Sequence, residues 1–195
     1  EHTEVFHREN DSSDVVNKEM YTFTDRGERS LTLRPEGTAG LIRSYVENKL
    51  YAHPDLPQKF YYVGPCFRYE RPQKGRMRIH HQFGVEVIGE KSPLIDAEVI
   101  LLGIDLITRL GIQDTKVLIN TLGDKASRLA YRDALKEHFA PSVHELCGDC
   151  QRRYEQNPLR ILDCKVDAGH PALVSAPEIH AYLNQESKDY FDAVT

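Results

Sequence analysis

No apolar run in these 195 residues approaches the ~20 residues of a membrane-spanning helix, and no signal-peptide pattern opens the chain. Neither the phosphate loop GxxxxGK[ST] nor the dinucleotide motif GxGxxG occurs, so the usual glycine-rich nucleotide sites are excluded. There is no internal repeat, no low-complexity segment and no visible Ser/His/Asp nucleophile set. Cysteine is scarce, at four residues, and with no sign of secretion reduced thiols and a cytoplasmic setting are expected. Excess positive charge is lacking too. The formal charge of −5 argues against broad, non-specific nucleic-acid binding, which phosphate neutralisation drives. What remains is a chain of ordinary globular composition, 40% hydrophobic and 28% charged, long enough for one domain or one domain with an insertion. Its start at Glu1 rather than Met suggests a trimmed or partial chain.

The stretch up to about Lys18 has little clear period. Met20–Thr24 and Leu31–Leu33 read as strands around the turn Asp25-Arg26-Gly27-Glu28, and Pro35 stops the second. Thr38 is placed to cap a helix over 39–50 with Leu41, Ile42, Tyr45, Val46 and Leu50 on one face. Lys59–Tyr69 and Ile79–Gly89 read as a hairpin with a wide basic tip at 70–78. Ser92-Pro93 opens a helix that is apolar nearly all round, Leu94 to Leu110, and is therefore expected to be buried. Thr115–Asn120 reads as a strand, and Asp124 starts a helix over 125–139. Beyond Ala140-Pro141 the chain is more polar, with short helical stretches and no good strand. The pattern is α+β: an antiparallel sheet flanked by helices, with a separate helical insertion subdomain.

The local charge of 68–78 opposes that of the whole. Arg68, Arg71, Lys74, Arg76 and Arg78 stand against Glu70 alone, a local net of +4. Strand alternation puts Gln82, Gly84 and Glu86 on one face and Phe83, Val85 and Val87 on the other, which suits a core. Gly84 leaves room on the polar face for something to approach. Arginine forks suit phosphate, Glu70 suits an exocyclic amine such as that of adenine, and Gln82 and Glu86 suit a small cationic ligand. Phosphates at one end and a cation at the other describe an amino acid meeting a nucleotide. A second candidate is Leu33–Thr38, where Glu36 and Thr38 sit between a strand and a helix. There the plainer reading is a helix cap, with Thr38 the cap and Glu36 an ordinary early acid.

FRYERPQKG…HHQFGVEVIG resembles motif 2 of class II aminoacyl-tRNA synthetases. With LRPEGTAG, DVVNKEMYTF and NPLRILDCK, the chain resembles bacterial histidyl-tRNA synthetases over essentially its whole length. The resemblance implies a homodimeric enzyme that joins histidine to ATP with Mg²⁺ and passes the histidyl group to the 3′ end of tRNA(His). It implies that Arg68 is the catalytic phosphate clamp, and that Glu70, Arg76 and His80 bind ATP with it. Glu36, Gly37, Thr38, Gln82 and Glu86 would hold histidine, and Arg71 and Gln73 would approach tRNA. His80 stands where the family commonly has a Phe that stacks on adenine. Residues 1–131 would be a partial catalytic domain with the motif 2 hairpin at 59–89, and 132–195 the insertion and the start of the return. Most of motif 1, motif 3 and the anticodon-binding domain would lie outside the chain, so the piece itself would be inactive or incomplete.

Cys147 and Cys150 have zinc-type CxxC spacing, with Cys164 and His170 following. With a single CxxC, free or buried thiols are preferred to a structural Zn²⁺ at Cys147 and Cys150, and no metal ligand is assigned. Cys66 reads as a core thiol and His81 as an inward, packed histidine. Two other functions compete. One is the paralogous regulatory subunit of ATP phosphoribosyltransferase, which would sense histidine; that paralogue usually lacks the insertion and alters the RPEGT segment, both present here. The other is a tRNA-binding module without chemistry, which leaves Glu36, Gln82 and Glu86 unexplained.

Overall fold

The structure, a computed structural model, describes residues 1–7, 16 and 19–195. Asp14, Val15, Asn17 and Lys18 of the DVVNKEMYTF segment, and most of the stretch read as aperiodic, lie outside the described residues. Contacts divide the chain into two compact units, Glu1–Lys91 and Ser92–Thr195.

The first unit begins with the hairpin β1 (Tyr21–Thr24) and β2 (Ser30–Leu33), paired Tyr21↔Leu33 to Thr24↔Ser30. Asp25 organises its turn: one carboxylate oxygen accepts the Gly27 and Arg29 backbone N–H groups at 2.8 and 3.0 Å, and the other accepts Arg29 Nε at 2.8 Å. The hydroxyl of Thr32, buried under this hairpin, meets those of Thr3 and Thr22, each at 3.0 Å.

Helix α1 runs Thr38–Glu47. Of its expected apolar face, Tyr45 is buried and stacks edge-on against Phe60 at 6.0 Å, whereas Val46 is exposed. A long hairpin follows, β3 (Gln58–Phe67) and β4 (Ile79–Ile88), paired without a break from Gln58↔Ile88 to Phe67↔Ile79. Its tip closes through reciprocal Gln73–Arg76 backbone hydrogen bonds of 3.1 and 2.9 Å, with Gly75 at φ +78°, where a side chain would be strained.

In the second unit, α2 spans Pro93–Arg109 and packs with α6 (Gln185–Val194), Tyr190 donating to Asp96 Oδ2 at 2.9 Å. Helix α3 (Lys125–Phe139) starts at the expected cap, where Asp124 accepts the Ser127 N–H at 2.8 Å. Short turns and α4 (Gly148–Gln156) and α5 (Pro171–Val174) complete the unit. Its core joins Tyr131, Leu135 and Phe139 of α3 to Leu146, Cys150, Ile161, Cys164, Ile179 and Leu183.

Among the described residues the strands form two two-stranded antiparallel sheets. Two expectations are corrected. Thr115–Asn120 forms no strand, and Val117, Leu118 and Ile119 are exposed. Its β-branched composition is right, but a ladder needs a partner backbone, and the described residues supply none there. Helix α2 contains no buried residue, and Leu94, Leu101, Leu102, Ile107 and Leu110 are exposed. A helix apolar all round needs neighbours on every side, and within its unit α6 covers only one.

Phe139 is fully buried in the core of the second unit. Phe139→Ala should destabilise that unit by about 3–5 kcal/mol, read as a lower urea midpoint of helical circular dichroism at unchanged slope.

Candidate active site

The end of β3 gathers the first unit's polar groups. Phe67 N–H donates to Arg34 O at 2.9 Å, and Arg68 Nε donates to Pro35 O at 2.9 Å. The segment between β2 and α1 is thereby pinned beside β3. The ladder then continues past the strand ends, Arg68 N–H donating to Arg78 O at 2.9 Å.

Strand pairing puts Phe60, Tyr62, Gly64 and Cys66 on one face with Glu86, Gly84, Gln82 and His80 directly opposite. This is the covered face. The other face carries Tyr61, Val63, Ile79, His81 and Phe83, all exposed, Tyr61 at 74% and Phe83 at 47%. Two expectations are therefore reversed: Phe83 does not enter a core, and His81 faces outward. The alternation was read correctly but its sides were not. The polar face is the one that meets α1 and the Arg34–Thr38 segment.

Glu36 also differs from expectation. Its carboxylate accepts the backbone N–H groups of Thr38 at 2.5 Å and Ala39 at 2.8 Å, so Glu36, and not Thr38, caps α1. The Thr38 hydroxyl is free for the sheet: it donates to Glu86 Oε1 at 2.6 Å and, its proton so used, accepts from the Tyr62 hydroxyl at 3.2 Å. Glu36, Thr38 and Glu86 are thus assembled at one end of the face. Gln82 lies further along it, where its Oε1 accepts from the Cys66 thiol at 3.3 Å. Burial pushes that thiol up from its ordinary range, against the pull of Arg34 and Arg68, so it stays a donor at neutral pH.

Tyr62 is the residue that sequence reasoning missed. A Cβ at Gly37 or at Gly84 would collide with its ring. The room beside Gly84 is filled by Tyr62, which packs between the two glycines. The signal in the sequence is that Tyr62 faces Gly84 once the register is known. A cleft of about 210 Å³ lies alongside, lined by Arg34, Gly37, Tyr62 and Cys66 among others, but not by Arg68, Glu70 or Gln82.

At the other end stands a charge group. Glu70, with a side chain 10% exposed, faces Arg68 Nη1 at 3.8 Å and Arg76 Nε at 2.7 Å. The Arg76 contact is close but not aligned as a hydrogen bond, so Glu70 Oε2 retains unused acceptor capacity. Arg78 lies over the Tyr69 ring, 4.3 Å from its centroid, and donates to Glu70 O at 3.2 Å. Arg71 and Gln73 are exposed at the tip, and His80 is half-buried on the covered face opposite Cys66. From His80 to Glu86 the face runs about 20 Å at the usual ~3.4 Å per strand residue.

If Tyr62 fills the space that the glycines leave, Gly84→Ala should cost about 1–3 kcal/mol by overpacking. Adding Tyr62→Ala should relieve much of that cost, a coupling that a double-mutant urea denaturation cycle would read.

Residues 1–157 match the family described as histidyl-tRNA synthetase. Over its full length the chain is 60% identical to histidine–tRNA ligase 1 of Shouchella clausii strain KSM-K16 and 57% identical to the histidine–tRNA ligase of Bacillus subtilis strain 168, spanning 46% of each. The chain therefore spans about half the length of these curated relatives. The crystal structure of apo Staphylococcus aureus histidyl-tRNA synthetase matches with a TM-score of 0.75 at 44% identity, covering 100% of this chain and 42% of that one. The α+β fold is thus of the class II synthetase type, seen over that shared part. A Bacillus halodurans structure described as an ATP phosphoribosyltransferase regulatory subunit/histidyl-tRNA synthetase matches with a TM-score of 0.56 at 20% identity, covering 93% of this chain and 51% of that one; this likeness concerns the fold alone.

Proposed function

The chain belongs to the histidyl-tRNA synthetase family, and from that membership we propose that it carries the central part of the activating site of a cytoplasmic, homodimeric histidine–tRNA ligase. The observation that carries the reading is the covered strand face, with Arg68, Glu70 and Arg76 at one end and Thr38 with Glu86 at the other. The substrates would be L-histidine, ATP and tRNA(His). Residues 1–131 would belong to the catalytic domain and 132–195 to its helical insertion and the start of the return. The regulatory-subunit alternative has only a likeness of fold behind it.

In this reading histidine lies along the strand face. Its ammonium end meets Glu36, Thr38 and Gln82 beside Gly37, and its imidazole meets Glu86. A carboxylate oxygen of histidine attacks the α-phosphorus of ATP. The bond from that phosphorus to the bridging oxygen of the β-phosphate breaks, and pyrophosphate leaves. Arg68 donates to the non-bridging oxygens where negative charge builds, and this costs little reorganisation because Pro35 O already holds its Nε. Arg76 would turn to the outer phosphates, whose charge Mg²⁺ would help to neutralise when bound with ATP. Glu70 Oε2, lacking an aligned donor, supports a role in accepting from the adenine amine, with His80 stacking on the base. Arg71 and Gln73 at the hairpin tip approach the tRNA end. Its terminal ribose hydroxyl then attacks the histidyl carbonyl carbon, and AMP departs.

Positioning and electrostatics do the work, so the arginine should matter most to the transition state. In the full-length enzyme, Arg68→Ala should lower histidine-dependent pyrophosphate exchange by at least about a hundredfold while histidine affinity by calorimetry stays nearly unchanged. Near-normal exchange would remove the phosphate-clamp role. Glu86→Gln should weaken histidine more than ATP; an equal fall in both affinities would make Glu86 a structural partner of Thr38.

A further inference from the structure

We propose that Cys147, Cys150, Cys164 and Asp167 form a closed, structural zinc site in the second unit. The four residues stand outside the candidate active site, and the sequence left the fourth ligand open. His170 does not fill that place. Its Nδ1 accepts the Ala172 N–H at 3.2 Å at the start of α5, and its Nε2 faces Glu145 Oε2 at 3.3 Å. Asp167 fills it instead.

The ligand atoms of the four residues all lie within 4.8 Å of one another. A tetrahedral zinc with Zn–S of ~2.3 Å and Zn–O of ~2.0 Å separates two sulfurs by roughly 3.8 Å and a sulfur and an oxygen by roughly 3.5 Å. Cys147 Sγ and Cys164 Sγ are 3.8 Å apart, and Cys164 Sγ and Asp167 Oδ2 are 3.6 Å apart. Two edges of the tetrahedron are therefore already at length, and the others need to close by at most about 1.3 Å. All three cysteines are free.

Ordinary core thiols turn towards hydrocarbon. These three turn towards one another and towards a carboxylate, although Cys150 and Cys164 are buried, Cys150 completely. The surrounding backbone holds them in that pose. The Cys147 N–H donates to both oxygens of Asp167, at 3.2 and 3.1 Å, and the Asp167 N–H donates to Cys164 Sγ at 3.5 Å. Such outer contacts orient ligands and offset thiolate charge. Cys147 caps α4 and Cys150 lies in its first turn, so the helix N-terminus adds positive potential. Three soft sulfur donors favour zinc over magnesium or calcium. With four protein ligands no position stays open for chemistry. The metal would tie the start of α4 to the loop after Pro158–Ile161, cross-linking a small core drawn from several short elements.

The test uses the full chain, produced without a metal-binding tag in zinc-supplemented medium. Mass-spectrometric metal analysis should find about one zinc per chain, since a closed four-ligand site holds a single ion. Cys147→Ser keeps a competent helix cap at a half-buried position, and should weaken retention against a chelator by about a hundredfold or more. Asp167→Asn should also weaken it. Cobalt loaded in place of zinc should give the strong visible bands of a tetrahedral site and a thiolate charge-transfer band that Cys147→Ser reduces. A chain that neither carries zinc nor takes it up when offered zinc chloride would overturn the proposal. So would equal retention by Cys147→Ser, an octahedral cobalt spectrum, or a metal-free chain with Cys147 joined to Cys164.

Discussion

The ten-pair ladder between β3 and β4 is the constraint on which the first unit depends. Side-chain direction along a strand has a period of two, so one residue of slip would move Gln82, Gly84 and Glu86 to the opposite face together. The unbroken register fixes Glu86 opposite Phe60 and His80 opposite Cys66, and it delivers Arg68 and Glu70 to the same end as Arg76 and Arg78. The other half of the site is not on the ladder. It is held there because Arg34 and Pro35 offer their carbonyls to Phe67 N–H and to the Arg68 side chain. The backbone that positions the arginine therefore also positions Glu36 and Thr38. Substitutions that disturb one end of the site will be felt at the other, although Arg68 and Glu86 lie towards opposite ends of the ladder.

Local signals in the sequence were legible where the physics is local. The Asp25 turn, the Pro35 stop, the Asp124 cap and the start of α2 at Pro93 each depend on residues within one turn of themselves. Family resemblance was legible because FRYERPQKG and LRPEGTAG are specific as a pair. What could not be read is what neighbours decide. Alternation in β4 gives two faces but does not say which is covered; here it is the face with Gln82 and Glu86, because α1 and the Arg34–Thr38 segment arrive on that side. Gly84 signals a close approach without naming what approaches, and Tyr62 lies on another strand. Glu36 and Thr38 exchange the capping role because the Thr38 hydroxyl has a stronger acceptor in Glu86. Leu118 and α2 are apolar in sequence, yet exposed for want of a partner backbone or a covering helix.

The charge group offsets repulsion between two of the five cations in the 68–78 loop, Arg68 and Arg76. Glu70 sits between two guanidinium groups and is largely shielded from water, which strengthens both attractions over those of an exposed pair. The consequence for a phosphate ligand has two sides. Arg68 and Arg76 are already held by Glu70, so less side-chain entropy would be lost if they gripped it as proposed. Yet each must give up part of its attraction to Glu70, and net affinity is the difference. Arg68, half-fixed by Pro35 O and 3.8 Å from Glu70, gives up little. Arg76, 2.7 Å from the carboxylate and otherwise exposed, gives up more. Under the proposed function the arginine fixed by Pro35 O would suit the phosphorus where charge develops, and the more exposed Arg76 the outer phosphates. If Arg76 moved away as proposed, Glu70 Oε2 would be left without its close cation in a shielded place, and a donor from the same ligand could replace it. A ligand carrying both phosphates and an amine at the right spacing can satisfy all three residues at once. A phosphate alone can satisfy only the two arginines, and it leaves the carboxylate unpaired. Under the proposed function the three side chains would thus discriminate between ligands through the penalty of an unsatisfied acceptor, more than through the sum of their attractions.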